Sequence, residues 1–343
     1  MDRRSLGKNP SGERLKQIQK SPNYHEGHFR NVEPTSVNPD NVSIFKILFK
    51  MLNRPAEVRP SAEIPHIETD LQALHLHEPV VVWFGHSSYL IKIGNFTMLV
   101  DPVFSGNASP SRFFGKAFDG ADSYNAEDIP ALDLLLITHD HYDHLDRSSI
   151  VKLLPKTQRI ITSLGVGAHL EYWGVPKEKI TELDWWQSTL INKGIEITAT
   201  PARHFSGRGF NRGKTLWSSF VLNINDLRVF VGADSGYDMR FREIGRKYGP
   251  FDFAFLECGQ YNEYWPQIHM FPEETVKAAK DLDTKVLIPV HWGKFVLSMH
   301  PWNEPVKRLV KAADEQEQKY LIPQIGEPFY PQKDYEQVAW WEF

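Results

Sequence analysis

Thr138-His139-Asp140-His141-Tyr142-Asp143-His144-Leu145-Asp146 shares its first residue with the apolar run LDLLLIT, 132–138. Such a run predicts a strand covered on both faces. A polar, histidine-rich segment at its end falls where α/β sheets place their sites. Residues two apart in extended chain point the same way, so His139 and His141 can converge on one cation. The chain then turns, and Asp143 with His144 can face a second. Imidazole nitrogen with carboxylate oxygen suits Zn²⁺, and also Fe or Mn.

Working outward, VVVWF (80–84), SYLIKI (88–93), FTMLV (96–100), RIIT (159–162), IEITAT (195–200), SSFVLNI (218–224), RVFVGA (228–233), DFAFLE (252–257) and KVLIPV (285–290) predict strands. Gly94-Asn95 predicts a tight hairpin turn. Helical patterns occupy 147–154, 165–173, 238–248, 272–282 and 303–318. Strands in blocks with helices between them indicate a layered α/β domain. Three more ligand candidates follow predicted strands: His204, Asp234 and His291.

The first 77 residues read differently. Residues 1–60 carry 11 basic and 6 acidic side chains and six prolines, in a chain whose net charge is −4. Proline at that density predicts an irregular arm over 1–77, with the main domain spanning 78–343. One segment, NVSIFKILFKMLN (41–53), departs from this. Phe45, Leu48, Phe49 and Leu52 recur at helical spacing opposite Lys46 and Lys50, with Ser43 or Asn41 available as N-cap. Two fates are open to that amphipathic helix near 43–53: packing on the domain or lying in a lipid surface.

Composition excludes several classes. With 41% apolar and 24% charged residues the chain is not a disordered one. Its net negative charge argues against a nucleic-acid binder. One cysteine, Cys258, cannot form an intramolecular disulfide, no run reaches the length of a membrane span, and the first fifteen residues hold no apolar signal core. A cytoplasmic protein is expected, at most peripheral at the inner face of a membrane.

The motif, with His204, Asp234 in GADSG and His291 in PVHWG, resembles the metallo-β-lactamase superfamily. That resemblance implies a four-layer αββα sandwich with a two-metal site at the edge of its sheets. WFGHSSYLI (83–91), LVDPVFSGNASPSRFFG (99–115), ITELDWW (180–186), TLWSSFVL (215–222), GPFDFAFLECGQY (249–261), HMFPEE (269–274) and IPVHWGKF (288–295) are similar to the N-acylphosphatidylethanolamine-hydrolysing phospholipase D branch and its bacterial relatives, over about residues 80–300.

The resemblance implies that His139, His141 and His204 hold one Zn²⁺, that Asp143, His144 and His291 hold the other, and that Asp234 bridges them. It implies a catalytic part for Asp143, Asp234 and His269, the last at the substrate phosphate or leaving group. It also implies metal-bound hydroxide attack on phosphorus. His141 stands where the diiron flavoprotein branch has Glu, which favours hydrolysis over O₂ chemistry. Metal-bound imidazole needs an acceptor on its other nitrogen, and Asp101 is the candidate, with His86 nearby. Tyr142 faces the cavity or packs. Trp185, Trp186, Trp217, Trp265 and Trp292 are candidates for an acyl groove. SPSRFFGKAF (109–118) is a candidate lid or acyl-chain wall, its Arg112 and Lys116 either meeting a phosphate or solvated, and GRGFNRGK (207–214) contacts anionic substrate or is a flexible loop.

The expected activity is a phospholipase D-type phosphodiesterase on N-acylphosphatidylethanolamine or a related phospholipid. The alternative is a soluble metal-dependent hydrolase of a lactone or a small or cyclic phosphate ester. A nuclease and a non-catalytic metal sensor stand behind both. Expected partners are the phospholipid or small-molecule substrate, a membrane surface and a second copy of the chain.

Overall fold

A computed structural model describes residues 3–37, 43–74, 78–111, 113–209 and 211–343. The strands are β1 (Tyr24–His25), β2 (His28–Phe29), β3 (Val80–Trp83), β4 (Tyr89–Ile93), β5 (Phe96–Val100), β6 (Leu132–Ile137), β7 (Thr157–Ser163), β8 (Ile180–Leu183), β9 (Ser188–Asn192), β10 (Ile195–Pro201), β11 (Ser218–Ile224), β12 (Leu227–Val231), β13 (Phe251–Glu257), β14 (Thr284–Val290) and β15 (Pro328–Phe329). The helices are α1 (Gly12–Ile18), α2 (Ile44–Leu52), α3 (Arg147–Leu153), α4 (Gly167–Tyr172), α5 (Arg240–Tyr248), α6 (Pro272–Asp281) and α7 (Glu304–Glu315).

Two sheets carry the domain. One runs β15-β3-β4-β5-β6-β7-β8, antiparallel as far as β5 and parallel beyond it. The other runs β14-β13-β12-β11-β10-β9, parallel at the β14 end and antiparallel at the other. Alternation along β6 shows how the layers form. Leu134 and Leu136 join the core between the sheets, whereas Leu135 and Ile137 join a second cluster with Ile150 and Leu153 of α3 and Leu170 of α4. Phe241, Ile244, Val276, Ala279 and Leu309 of α5, α6 and α7 cover the other sheet. This is the expected αββα sandwich, and it explains why LDLLLIT lacks a polar face. Between the sheets, Tyr89 of β4 stacks on Phe255 of β13 with ring centroids 3.9 Å apart and planes 11° apart.

The arm is more ordered than its prolines predict. It carries α1 and the β1-β2 hairpin, and residues 4–8 lie against α4 and the loop after His204, through bonds to His169, Trp173 and Arg208. Arg14 reaches both Glu171 and Glu182 at 2.7 Å.

Helix α2 forms where the periodicity places it. Ser43 occupies the N-cap position without a side-chain cap bond, and Asn41 lies outside the described residues. Three of its apolar side chains face outward: Phe45, Phe49 and Leu52 are 83%, 67% and 78% exposed. Lys50 holds it to the domain, donating to the Tyr264 hydroxyl at 2.5 Å. No helix among the described residues is long and apolar enough to cross a membrane.

Because Phe255 fills space between two sheets that cannot collapse independently, Phe255→Ala is expected to cost about 3–5 kcal/mol. Urea titration should show a lower midpoint with an unchanged slope. A loss within experimental error would mean that the inter-sheet layer does not carry the fold.

Candidate metal centre

Each member of the centre stands at or just beyond a strand end. His139, His141, Asp143 and His144 follow β6, and His204 follows β10. Asp234 follows β12, and His291 follows β14. Asp146, which ends the motif, caps α3 by accepting from Ser148 N at 3.2 Å and Ser149 N at 3.1 Å. That cap fixes the turn between motif and helix.

His139 Nε2 and His204 Nε2 lie 2.9 and 3.2 Å from His141 Nδ1. The outer nitrogens settle the tautomers. Thr138 Oγ1 donates to Asp101 Oδ2 at 2.6 Å, so at 3.0 Å it can only accept from His139 Nδ1. His204 Nδ1 donates to the Ile268 carbonyl at 2.9 Å. Both Nε2 lone pairs therefore point inward. Asp234 Oδ2 completes this group, 3.7 Å from His139 Nε2 and 3.6 Å from His204 Nε2.

A second group adjoins it. His144 Nδ1 donates to Asp101 Oδ2 at 2.8 Å, which turns Nε2 toward Asp234 Oδ2 at 3.2 Å and Asp143 Oδ2 at 3.5 Å. His291 Nδ1 lies 3.1 Å from Asp234 Oδ1 and 3.0 Å from Ser87 Oγ. Asp234 thus stands between the two groups. Asp101 is the acceptor behind His144, and His86 Nε2 lies 2.9 Å from Asp143 Oδ2.

The donor set fits a metal. His144 Nε2 and Asp234 Oδ1 are buried without a hydrogen-bond partner, a costly condition that a cation relieves. Burial holds the pKa values of His139, His204 and His291 well below that of ordinary imidazole, leaving neutral rings with free lone pairs. Burial opposes charge on His144 too, but Asp234 and Asp143 outweigh it and raise its pKa well above the usual value. A proton there occupies the place a metal would take.

Beyond β13, His269 faces the centre, its ring 5.0 Å from that of His204 and 5.2 Å from that of His291. Its Nδ1 lies 2.7 Å from Glu257 Oε2. Burial alone would lower the His269 pKa, yet the Glu257 carboxylate raises it above the usual imidazole value. Glu257 also accepts from Ser235 N and Met270 N at 2.9 and 3.1 Å, joining the loop after Asp234 to the His269 loop. A cleft of about 270 Å³ opens over the centre, bordered by His269, Phe205, Trp265, Leu297, Val37 and Arg212.

Tyr142 packs: its hydroxyl donates to the Arg208 carbonyl at 2.6 Å and its ring lies 4.1 Å from the Arg208 guanidinium. Arg208 in GRGFNRGK is buried and donates to the carbonyls of Asp140 and Leu145, both at 2.7 Å, so it serves the motif loop and not substrate. Trp217 borders a cleft, with Nε1 donating to the Ala202 carbonyl at 3.0 Å. Trp265 borders the metal centre's cleft. Trp292 is core, in a three-ring cluster with Trp83 and Trp340, and Trp185 is buried, donating to the Trp217 carbonyl at 2.7 Å. Trp186 is partly buried beneath Lys247. Lys116 pairs with Asp119 at 3.5 Å, and Arg112 lies outside the described residues.

Three residues received no role from the sequence. Glu257 sits in a strand-end word that otherwise reads as core. Asp140, inside the motif, accepts from Gly207 N at 2.7 Å and Thr215 Oγ1 at 2.9 Å, and lies 3.2 Å from His169 Nε2. Asn31 of the arm brackets His204, donating to its carbonyl at 2.7 Å and accepting from its N–H at 3.1 Å.

Residues 97–292 match the β-lactamase superfamily domain. The chain belongs to the metallo-β-lactamase superfamily. Within that superfamily it falls in the branch of the N-acylphosphatidylethanolamine-hydrolysing phospholipases D. It is 39% identical over 328 residues to an uncharacterized protein of Mycobacterium tuberculosis, covering 94% of this chain and 88% of that one. It is 30% identical over 248 residues to N-acyl-phosphatidylethanolamine-hydrolyzing phospholipase D 1 of Caenorhabditis elegans, covering 68% and 70%. Among solved structures, Igni18, a metallo hydrolase from the archaeon Ignicoccus hospitalis, shares the fold with a TM-score of 0.56 at 19% identity, over 75% of this chain and 99% of that one. This metallo-β-lactamase superfamily member is a metal-dependent hydrolase whose His/Asp cluster can bind metal.

Asp101 holds His144 by Nδ1 and also accepts from Thr138 N at 2.8 Å. Asp101→Asn should therefore weaken metal retention about 10–100-fold while the protein stays folded. Competition against a chromogenic chelator measures this; retention equal to the native protein's would remove Asp101 from the centre.

Proposed function

We propose that the protein is a phospholipase D-type phosphodiesterase acting on N-acylphosphatidylethanolamine or a related phospholipid, with two Zn²⁺ ions in its centre. The observation that carries this is His269, given a raised pKa by Glu257 and set across the ligand cluster where a phosphodiester would lie. The similarity to the C. elegans phospholipase supports the substrate class.

His139, His141 and His204, with Asp234, would hold one ion, and Asp143, His144 and His291, with Asp234, the other. When bound, the ions supply Lewis acidity, polarising a phosphoryl oxygen and lowering the pKa of water in the site. The chain's own residues do the rest. Asp101, Thr138 and the Ile268 carbonyl hold the imidazole tautomers. Glu257 keeps a proton on His269 Nδ1, so that Nε2–H can meet a phosphate oxygen or give its proton to the departing alcohol. Water adds to phosphorus, the bond from phosphorus to the ethanolamine oxygen breaks, and phosphatidic acid and N-acylethanolamine leave.

Helix α2 suits a lipid substrate. Its exposed Phe45, Phe49 and Leu52, in an arm whose first 60 residues have excess positive charge, favour peripheral contact with an anionic membrane surface.

Purified protein should contain about two divalent ions per chain, removable by chelator. It should release phosphatidic acid and N-acylethanolamine from mixed micelles in a chelator-sensitive way. Turnover of only bis(p-nitrophenyl) phosphate or a lactone run alongside would discard the lipid and keep the centre. His269→Ala should leave metal content intact and depress turnover by about 10²–10⁴; undiminished turnover would take His269 out of the mechanism.

A further inference from the structure

Residues 28–37 of the arm and the loop from His204 to Trp217 enclose a cleft of about 530 Å³, within the ~300–1,000 Å³ of small-molecule sites. Val37, His204, Phe205 and Arg212 border both this cleft and the one over the metal centre, so the two adjoin.

The arm side of the cleft is a built wall. Phe29 N donates to the Gly213 carbonyl at 2.7 Å, and Ser36 N donates to Gln267 Oε1 at 2.6 Å. Arg203 donates to Thr35 Oγ1 and to the Pro34 carbonyl, each at 3.1 Å. Asn31 ties the wall to the ligand His204 on both sides of its backbone.

The lining is polarised. Val32, Pro34, Val37, Phe205 and Trp217 supply apolar surface. The charged arm residues are already neutralised, Glu33 by Arg240 at 3.2 Å and Arg30 by Glu26. Arg212 differs: it is exposed, its guanidinium lies 4.9 Å from the Phe205 ring centre, and no carboxylate pairs with it among the described residues. An apolar slot that ends at a metal centre, with one unneutralised cation where the two meet, matches an anionic amphiphile. The hydrocarbon lies in the slot, and the anionic group lies between guanidinium and metal.

We infer that residues 28–37 form one wall of a subsite for a hydrocarbon chain of the lipid substrate, with Arg212 on its anionic group, so that chain selectivity resides in the arm. The inference rests on the lipid reading above and names the chain subsite of that same site.

The test uses the zinc-loaded full chain and the butyl and octyl monoesters of methylphosphonic acid, with binding read by isothermal titration. The native protein should bind the octyl ester at least about tenfold more tightly than the butyl, each buried methylene favouring the longer chain. Val32→Asp and Val37→Asp put a carboxylate on the wall at half-buried or exposed positions, where folding should persist in thermal melts. Each should cut the octyl-to-butyl ratio to about threefold or less. Arg212→Gln should weaken both esters by a common factor and keep the ratio. A native chain-length preference that survives both aspartate variants unchanged overturns the arm as the chain wall while the lipid reading stands. No chain-length preference in the native protein overturns both.

Discussion

Three imidazole nitrogens, from His139, His141 and His204, are directed at one another across 2.9–3.2 Å in the protein interior. Without a cation such a cluster is a set of mutually repelling lone pairs, or a set competing for too few protons. Much of the surrounding structure can be understood as holding that convergence in place. His86, Asp101, Ala233 and His291 all adopt left-handed backbone, with φ of 53°, 39°, 56° and 67°. Such conformations cost about 1–3 kcal/mol each and persist only where their surroundings over-determine them. Here the over-determination is visible. His86 N donates to the Trp292 carbonyl and His291 N to the His86 carbonyl, both at 2.9 Å. Those bonds join the end of β3 to the end of β14, one strand from each sheet, beside the ligands.

Outside the ligands lies a shell that fixes which nitrogen of each ring carries the proton. Asp101 is its centre, accepting from Thr138 N, Thr138 Oγ1 and His144 Nδ1. Its carboxylate is buried, and burial raises its pKa, with His144 opposing that rise. Asp140 does comparable work for the motif loop. Lys8 N donates to His169 Nδ1 at 3.0 Å, which leaves His169 Nε2 as the donor to Asp140. The arm therefore reaches the centre by two routes, through Lys8 and Asp140 to the motif loop and through Asn31 to His204. Neither route adds a ligand; both restrict where ligands can move.

How far the sequence shows this depends on the kind of interaction. The motif was readable because four ligands fall within six residues at strand-end spacing, and the core strands because burial on both faces leaves unbroken apolar runs. Strand β9 was not anticipated: Ser188–Asn192 is an edge strand whose residues alternate between exposed and partly buried, so it has no apolar run to announce it. The arm was underestimated for a related reason. It is held by isolated buried side chains, Ile18, Phe29, Ile64 and Leu71, and by backbone donors, Asn31 and Arg14, and scattered anchors of that sort leave no hydrophobic period in the sequence. Glu257 was hidden because it ends the apolar word DFAFLE; only the three-dimensional partner His269 distinguishes it from a strand terminus. For α2 the helix and its apolar face are legible in the spacing but the face's surroundings are not, since periodicity reports amphipathicity and not the identity of the apolar phase.

The two kinds of support also separate two kinds of change. The ligand cluster is fixed by strand ends, buried carboxylates and cross-sheet backbone bonds, so most substitutions there disturb several partners at once. The arm wall meets the same centre through Asn31, but its cleft-facing Val32, Pro34 and Val37 sit at or near the surface and carry few obligations to the core. Their side chains can change without moving a ligand, provided the backbone anchors at Phe29, Asn31 and Ser36 remain. A fold arranged in this way can keep its hydrolytic centre constant while the shape of the space beside it varies. This gives a physical basis for one superfamily serving many substrates.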